Sequence, residues 1–83
     1  MNMDVFKSVI EVNLYGSIYC SAHAAFFMSK NKEPEDSSNG VIINLSSVSG
    51  TEAQFSQVPY GASKGAVDSF TFAMARDLGK FRI

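Results

Sequence analysis

The sequence predicts an α/β fold in which two long helices flank one buried strand. Residues 41–45 are rich in β-branched side chains and carry apolar residues on both faces of an extended chain. Such a strand is typical of a parallel sheet that is covered on both sides. Long stretches with helical spacing precede and follow it. The chain is therefore predicted to be a helix–strand–helix slice of a doubly wound parallel sheet, incomplete on its own.

The first helix is predicted over about residues 4–29. Apolar side chains recur there at helical spacing, at Phe6, Ile10, Leu14, Ile18 and Ala22. Asp4 is the predicted N-cap, because its side-chain oxygens can accept hydrogen bonds from free amides of the first turn. Gly16 costs about 1 kcal/mol relative to alanine inside a helix, which suggests that another backbone approaches it closely.

A polar loop, the strand, a second loop and a second helix follow in that order. The predicted ranges are 29–40 for the polar loop, 41–46 for the strand, 47–58 for the second loop and 59–78 for the helix. Pro59 suits the first turn of this helix because its missing N–H is harmless there, and Gly79 is the predicted C-cap residue. The inward stripe of the helix is Tyr60, Lys64, Val67, Thr71, Met74 and Leu78.

Length and composition set limits on stability and partners. A chain of 83 residues removes only roughly 60–65% of its unfolded surface from water, so its core should be marginal. The net charge of −1 gives no field that would attract nucleic acid or an anionic membrane. The single cysteine, Cys20, cannot form an internal disulfide, and a reducing compartment is expected. We see no leader or transit pattern at the N-terminus and expect a soluble protein.

Tyr60 and Lys64 are the most informative pair in the sequence. Residues four apart are neighbours on one helical face, so a phenol and an ammonium point inward together. A phenol is a weak base at neutral pH, and a nearby cation favours its ionised form. The pair could therefore transfer protons. When a tyrosine and a lysine at this spacing occur without other catalytic residues, the tyrosine is more often a packing residue and the lysine ammonium reaches solvent.

Two further polar residues stand at informative positions. Ser47 follows the carboxyl end of the predicted strand, the edge at which open parallel sheets bind ligands. Asn13 falls on the inward face of the first helix, where an amide can mark a kink, a water site or a polar relay. Taken alone, Ser47 could simply bond nearby backbone, and Asn13 could be a core amide that a water satisfies.

Taken together, these residues resemble the short-chain dehydrogenase/reductase family. Residues 12–16 are similar to its Asn-bearing helix segment, 41–50 to its serine-bearing strand end, and 60–66 to its Tyr-x-x-x-Lys helix. The resemblance implies a Rossmann-like fold and hydride transfer between NAD(P) and a secondary alcohol or ketone. The implied substrates are 3-hydroxyacyl-CoA or steroid-like, NAD is favoured over NADP, and the implied location is mitochondrial or cytoplasmic.

The resemblance also implies a role for each residue. Tyr60 would be the general acid/base, and Lys64 would favour its phenolate and hydrogen-bond the nicotinamide ribose. Ser47 would hold the substrate oxygen, and Asn13 would anchor a water that links Lys64 to solvent. Tyr60 and Lys64 would thus contact the cofactor and Ser47 the substrate. Family members commonly pair the two helices with a second subunit, so a homo-oligomer of the intact parent is implied.

One part of the expected machinery is missing from the sequence. The six glycines form no turn between a strand and a helix that could hold a dinucleotide pyrophosphate. We therefore expect a catalytic segment of one NAD(P)-binding domain, without its phosphate-binding N-terminal half and its C-terminal substrate part, and inactive when isolated. The alternative is a truncated, non-catalytic module that pairs with a full-length homologue.

Cys20 and His23 are three residues apart on the first helix and could suggest a metal site. Zinc needs three or four protein ligands, and the sequence has no other cysteine or histidine. Packing in the core is the favoured role for both residues, and no metal is expected.

Overall fold

The first helix begins at a side-chain cap that lies two residues before the predicted one. In the computed structural model, which describes residues 2–34, 37–51 and 57–83, the Oδ1 atom of Asn2 accepts hydrogen bonds from the amides of Asp4 at 2.8 Å and Val5 at 3.3 Å. The prediction that Asp4 is the N-cap is therefore wrong. Asp4 lies instead in the first turn, where its carboxylate interacts favourably with the positive end of the helix dipole.

In the part of the chain that the structure describes, three α-helices make up most of the regular structure. They are α1 (Met3–Ile10), α2 (Gly16–Met28) and α3 (Val58–Leu78). A π-helical turn, Glu11–Tyr15, joins α1 to α2 without a break in the helix. Short 3₁₀ turns occur at Val48–Gly50 and Gly79–Phe81.

No strand forms among the described residues, so the predicted strand at 41–46 is not met. The physical reason is that a strand needs a ladder of hydrogen bonds to a neighbour, and no second strand lies beside this segment in the described part of the chain. Exposure nevertheless alternates along it. Val41, Ile43 and Leu45 are 67%, 81% and 77% exposed, whereas Ile42 and Asn44 are half-buried. One face of the segment therefore contacts the helices and the other is bare.

The third helix buries the stripe that the sequence predicts. Pro59 lies in its first turn, Val67 is buried, and the other five stripe residues are half-buried. Gly79 is the C-cap residue, but its backbone is right-handed and the chain continues into a 3₁₀ turn. The left-handed position that usually ends a helix falls three residues later, at Arg82, whose φ is 60°.

The core is small, as the length predicts. Among the described residues the buried apolar side chains are Ala25 and Val67, and the buried polar ones are Ser21, Asn39 and Ser63. The radius of gyration is 15.1 Å, against about 12 Å for a compact domain of this length. The accessible surface is 6012 Å², against about 4,900 Å² for a folded monomer of this mass. The shape is elongated and much of it remains uncovered.

Within residues 2–34, 37–51 and 57–83, no helix is both long enough and apolar enough to cross a bilayer.

A polar latch ties the polar loop to the end of the chain. The guanidinium of Arg82 donates to the carbonyls of Pro34 and Glu33, the latter at 3.0 Å. In return, the carbonyl of Arg82 accepts from the amide of Asn39 at 2.8 Å, and the Asn39 side chain donates to the carbonyl of Phe81 at 2.7 Å. These bonds hold the C-terminus beside the start of segment 40–47.

We predict that the Arg82 guanidinium compensates for the left-handed backbone of the same residue. Arg82→Ala removes the hydrogen bonds and keeps the strain, so it should lower the free energy of unfolding by about 1–3 kcal/mol. Arg82→Gly removes the hydrogen bonds and the backbone strain together, so its free energy of unfolding should be higher than that of Arg82→Ala by up to about 1 kcal/mol. Urea denaturation of both variants measures the difference. Equal stability of the two variants would contradict this explanation.

Candidate active site

Tyr60 and Lys64 lie together near the start of α3. The Nζ atom of Lys64 is 5.8 Å from the centroid of the Tyr60 ring, and both side chains are half-buried. The ammonium is thus within the range at which a cation interacts with an aromatic ring. The structure brings these two predicted site residues onto one face, as their spacing implies.

The end of segment 40–47 is fastened to α3 at Lys64. Its ammonium donates to the carbonyl of Leu45 at 3.0 Å. The hydroxyl of Ser46 donates to the backbone carbonyl of Lys64 at 3.3 Å. An ammonium carries three N–H donors, so two remain after the Leu45 bond for other acceptors such as ribose hydroxyls.

Ser47 begins the 3₁₀ turn Val48–Gly50. Its backbone is extended, with φ −159° and ψ 155°, and its Oγ atom accepts a hydrogen bond from the amide of Ser49 at 3.2 Å. A hydroxyl has one proton and two acceptor sites, so this bond leaves the proton of Ser47 available to donate. The side chain can therefore be oriented by the turn and still donate to a substrate oxygen.

Glycines allow this turn to lie directly on α3. A Cβ atom added at Gly61 would be 2.8 Å from the carbonyl oxygen of Ser49, and one at Gly50 would be 2.9 Å from the amide nitrogen of Gly65. Both distances are shorter than real Cβ contacts, so these positions require glycine. The sequence suggests such an approach at Gly16 instead, and that expectation is wrong for the described part of the chain, where a Cβ added at Gly16 would meet only the carbonyl oxygen of Glu11 in the same helix, at 3.8 Å.

Asn13 lies in the π-helical turn and connects to Tyr60 through Ser63. The Nδ2 atom of Asn13 donates to the hydroxyl of Ser63 at 3.2 Å. That hydroxyl, which is fully buried, donates to the backbone carbonyl of Tyr60 at 2.7 Å. Sequence reasoning missed Ser63, although a serine between the paired tyrosine and lysine on an inward turn was a visible signal.

Asn13 and Lys64 also line the same open groove. Its volume is about 590 Å³ and it runs between α2 and segment 40–47. A groove of this size with polar groups along it has room for ordered water. The two residues share this space, and the direct bond of Asn13 is to Ser63.

Cys20 and His23 do not pack in the core as expected. Both are exposed on α2. No cluster of three or more His, Cys, Asp or Glu residues that could hold a metal ion occurs in the described part of the chain.

The family model for short chain dehydrogenases matches residues 1–83, and the chain therefore belongs to the short-chain dehydrogenase/reductase family. Membership implies a Rossmann-like α/β fold for the whole protein, whereas the described part of this chain is helical with an unpaired segment. The assignment agrees with the resemblance carried by the asparagine, serine and Tyr-x-x-x-Lys segments.

The chain is also similar in sequence to individual dehydrogenases. The chain is 41% identical over 76 residues to 3-hydroxyacyl-CoA dehydrogenase type-2 of Mus musculus, covering 92% of this chain and 29% of the relative. It is 37% identical over 81 residues to the Homo sapiens protein of that name, covering 98% and 31%. It is also 35% identical over 83 residues to sorbitol-6-phosphate 2-dehydrogenase of Klebsiella pneumoniae, covering 100% and 29%. The chain thus spans about a third of the length of these relatives.

We predict that Gly61→Ala displaces the turn that carries Ser47. The added Cβ would meet the Ser49 carbonyl at 2.8 Å, and backbone cannot move aside as a flexible side chain can. Overpacking of this kind typically costs about 1–3 kcal/mol, more than the roughly 1 kcal/mol that alanine gains over glycine in a helix. Thermal unfolding measures the net loss.

Gly79→Ala is the matched control, because the added Cβ there has no contact within 4 Å among the residues that the structure describes, and φ is −56°. It should be neutral or slightly stabilising. A Gly61→Ala protein as stable as the Gly79→Ala protein would disprove the close approach.

Proposed function

We propose that the chain is the proton-transfer segment of a short-chain dehydrogenase/reductase that moves hydride between NAD(P) and a secondary alcohol or ketone. One observation carries the proposal, namely that Tyr60 and Lys64 share a half-buried face of α3, with the ammonium 5.8 Å from the phenol ring. The turn that begins at Ser47 lies against the same helix. The 83 residues then form part of one Rossmann-like domain, in which residues 41–46 become a strand once neighbouring strands pair with them.

The proposed chemistry assigns a separate task to each side chain. Ser47 donates a hydrogen bond to the substrate oxygen and fixes its position. In the oxidative direction the Tyr60 phenolate takes the hydroxyl proton, and in the reductive direction the Tyr60 hydroxyl donates that proton to the carbonyl oxygen. Lys64 stabilises the phenolate by its positive charge. Asn13 lies on the groove shared with Lys64 and would hold a water there, which would connect the site to solvent.

The nicotinamide cofactor accepts or supplies the hydride when it is bound. The residues present fit its ribose, because two N–H donors of Lys64 remain after the bond to the Leu45 carbonyl. The sequence has no site for the cofactor pyrophosphate, since it contains no glycine-rich turn between a strand and a helix. NAD is the proposed cofactor and NADP is compatible with the same contacts.

The substrate proposal follows the relatives. Those named 3-hydroxyacyl-CoA dehydrogenase type-2 show 37–41% identity, and a 3-hydroxyacyl-CoA carries the secondary alcohol that the proposed mechanism needs. A steroid-like alcohol has the same reactive group. Residues 31–44 and 75–78 are the parts of this sequence that most resemble 3-hydroxyacyl-CoA dehydrogenase type-2. A mitochondrial or cytoplasmic setting remains a prediction.

Exposed aromatic side chains support a homo-oligomer of the full-length protein. Tyr19, Phe26 and Phe27 on α2 and Phe72 on α3 are all more than half exposed. Such a set of large apolar side chains on two helices is typical of an interface.

Removal of the phenolic hydroxyl of Tyr60 tests the proposed chemistry. In the full-length gene product, Tyr60→Phe should lower the turnover of a 3-hydroxyacyl-CoA with NAD by about 10²–10⁴-fold, because general acid/base catalysis is lost. Tyr15→Phe is the matched control, since Tyr15 is an exposed tyrosine in the π-helical turn, and its turnover should be unchanged. Unchanged turnover in Tyr60→Phe would refute the role of Tyr60.

A second candidate function is a non-catalytic module that pairs with a full-length homologue. The observation that favours it is the bare apolar face of Val41, Ile43 and Leu45, which a partner strand or surface could cover. Under either hypothesis, enzyme segment or non-catalytic module, the 83-residue chain alone should be inactive. We predict that calorimetry detects no NADH binding to this chain at micromolar concentrations. The transcript separates the two: one that extends in frame on both sides of the 83 residues would support the enzyme segment, whereas one that encodes only these residues, whose product co-purifies with a longer homologue, would support the module.

A further inference from the structure

The side-chain amide of Asn44 bridges α2 and α3, the helices that come before and after segment 40–47 in the chain. Its Oδ1 atom accepts a hydrogen bond from the hydroxyl of Ser21 on α2 at 3.2 Å. Its Nδ2 atom donates to the hydroxyl of Thr71 on α3 at 3.0 Å. Ser21 is itself almost completely buried. One amide thus uses both its acceptor and its donor to span the gap between α2 and α3.

The position of Asn44 along the chain connects this bridge to the proposed site. Leu45, whose carbonyl accepts from Lys64, is the next residue, and Ser46, which donates to the Lys64 carbonyl, follows it. Ser47 comes third. An extended residue spans about 3.3 Å. The three residues after Asn44 contact or belong to the site, and they all lie within about 10 Å of Asn44 along the chain.

Apolar packing does little to hold this part of the segment. Ile43 and Leu45, on either side of Asn44, are 81% and 77% exposed. The face that contacts the helices is held at Asn44 by hydrogen bonds in a partly buried setting, where each bond matters more than at an exposed one. Neither a leucine nor a carboxylate at this position could both accept from Ser21 and donate to Thr71.

We infer that Asn44 is a positioning residue. Its amide sets the position of the Leu45 carbonyl and of Ser47 relative to Lys64 and Tyr60 on α3. The expected effect on kcat rests on the proposed function. The expected effect on the distance between Lys64 and the Leu45 carbonyl does not depend on any activity.

Two isosteric substitutions in the full-length gene product test the bridge. Asn44→Leu removes both hydrogen bonds, and Thr71→Val removes only the bond to α3. Because a misplacement of about 1 Å can cost up to 10²-fold in rate, kcat should fall about 10- to 100-fold after correction for the folded fraction, with less than a threefold change in the KM for NAD. Crystal structures of both variants should show the Lys64 Nζ to Leu45 carbonyl distance lengthened beyond about 3.5 Å.

Controls separate positioning from general loss of structure. Thr71→Ser keeps the hydroxyl and should restore most of the rate that Thr71→Val loses. Ser69→Ala removes an exposed hydroxyl two residues away and should change nothing. In the double variant the loss should be no greater than in Asn44→Leu alone, because both substitutions break the same bond.

The outcomes are distinguishable from failure of the proposed function. If the wild-type protein shows no dehydrogenase activity, or Tyr60→Phe remains active, the proposed function fails and the crystallographic distance still decides the bridge. A Lys64 to Leu45 distance that stays near 3.0 Å in both variants would overturn the inference, and so would a loss of kcat that Thr71→Ser fails to restore.

Discussion

Direct backbone contact between the turn Val48–Gly50 and α3 is the constraint on which the candidate site depends. Glycine on both sides of the contact removes the Cβ atoms that would otherwise hold the two backbones apart. The turn carries Ser47, and α3 carries Tyr60 and Lys64. Their relative placement is therefore set by main-chain atoms, which move less freely than side chains. Side-chain hydrogen bonds from Lys64, Ser46 and Asn44 then fix the preceding segment against the same helix.

Much of the remaining structure follows from the unpaired state of segment 40–47. Its residues have the composition of a central strand, but none of the described residues offers them a ladder. The side of the segment that faces away from the helices is therefore bare, and the whole chain is longer and more exposed than a compact domain of its mass. On the side that faces the helices, the Asn44 side chain bonds to Ser21 and Thr71, and the Leu45 carbonyl accepts a hydrogen bond from Lys64.

The sequence allowed the helices to be predicted better than the contacts between them. The stripe around Val67 could be predicted from helical spacing, because one face of α3 is buried or half-buried along its length. The pairing of Tyr60 with Lys64 needed only the four-residue spacing. By contrast, the roles of Gly61, Ser63 and Asn44 depend on residues far away in the chain. No local pattern reveals which backbone approaches a glycine or which hydroxyl a buried amide will meet.

The π-helical turn Glu11–Tyr15 has a consequence for how this helix tolerates changes in length. A π turn holds one residue more than an α turn, and each residue of a regular helix advances the face by about 100°. The extra residue therefore shifts, across the turn, the sequence spacing of the residues that share one face of the helix. Deletion of one residue here would leave a regular α-helix and keep Ser21 directed toward Asn44, whereas deletion of one residue within α2 would rotate the part that follows by about 100°. The irregular turn is thus a register offset between two faces of one helix, and it lies where Asn13 reaches Ser63.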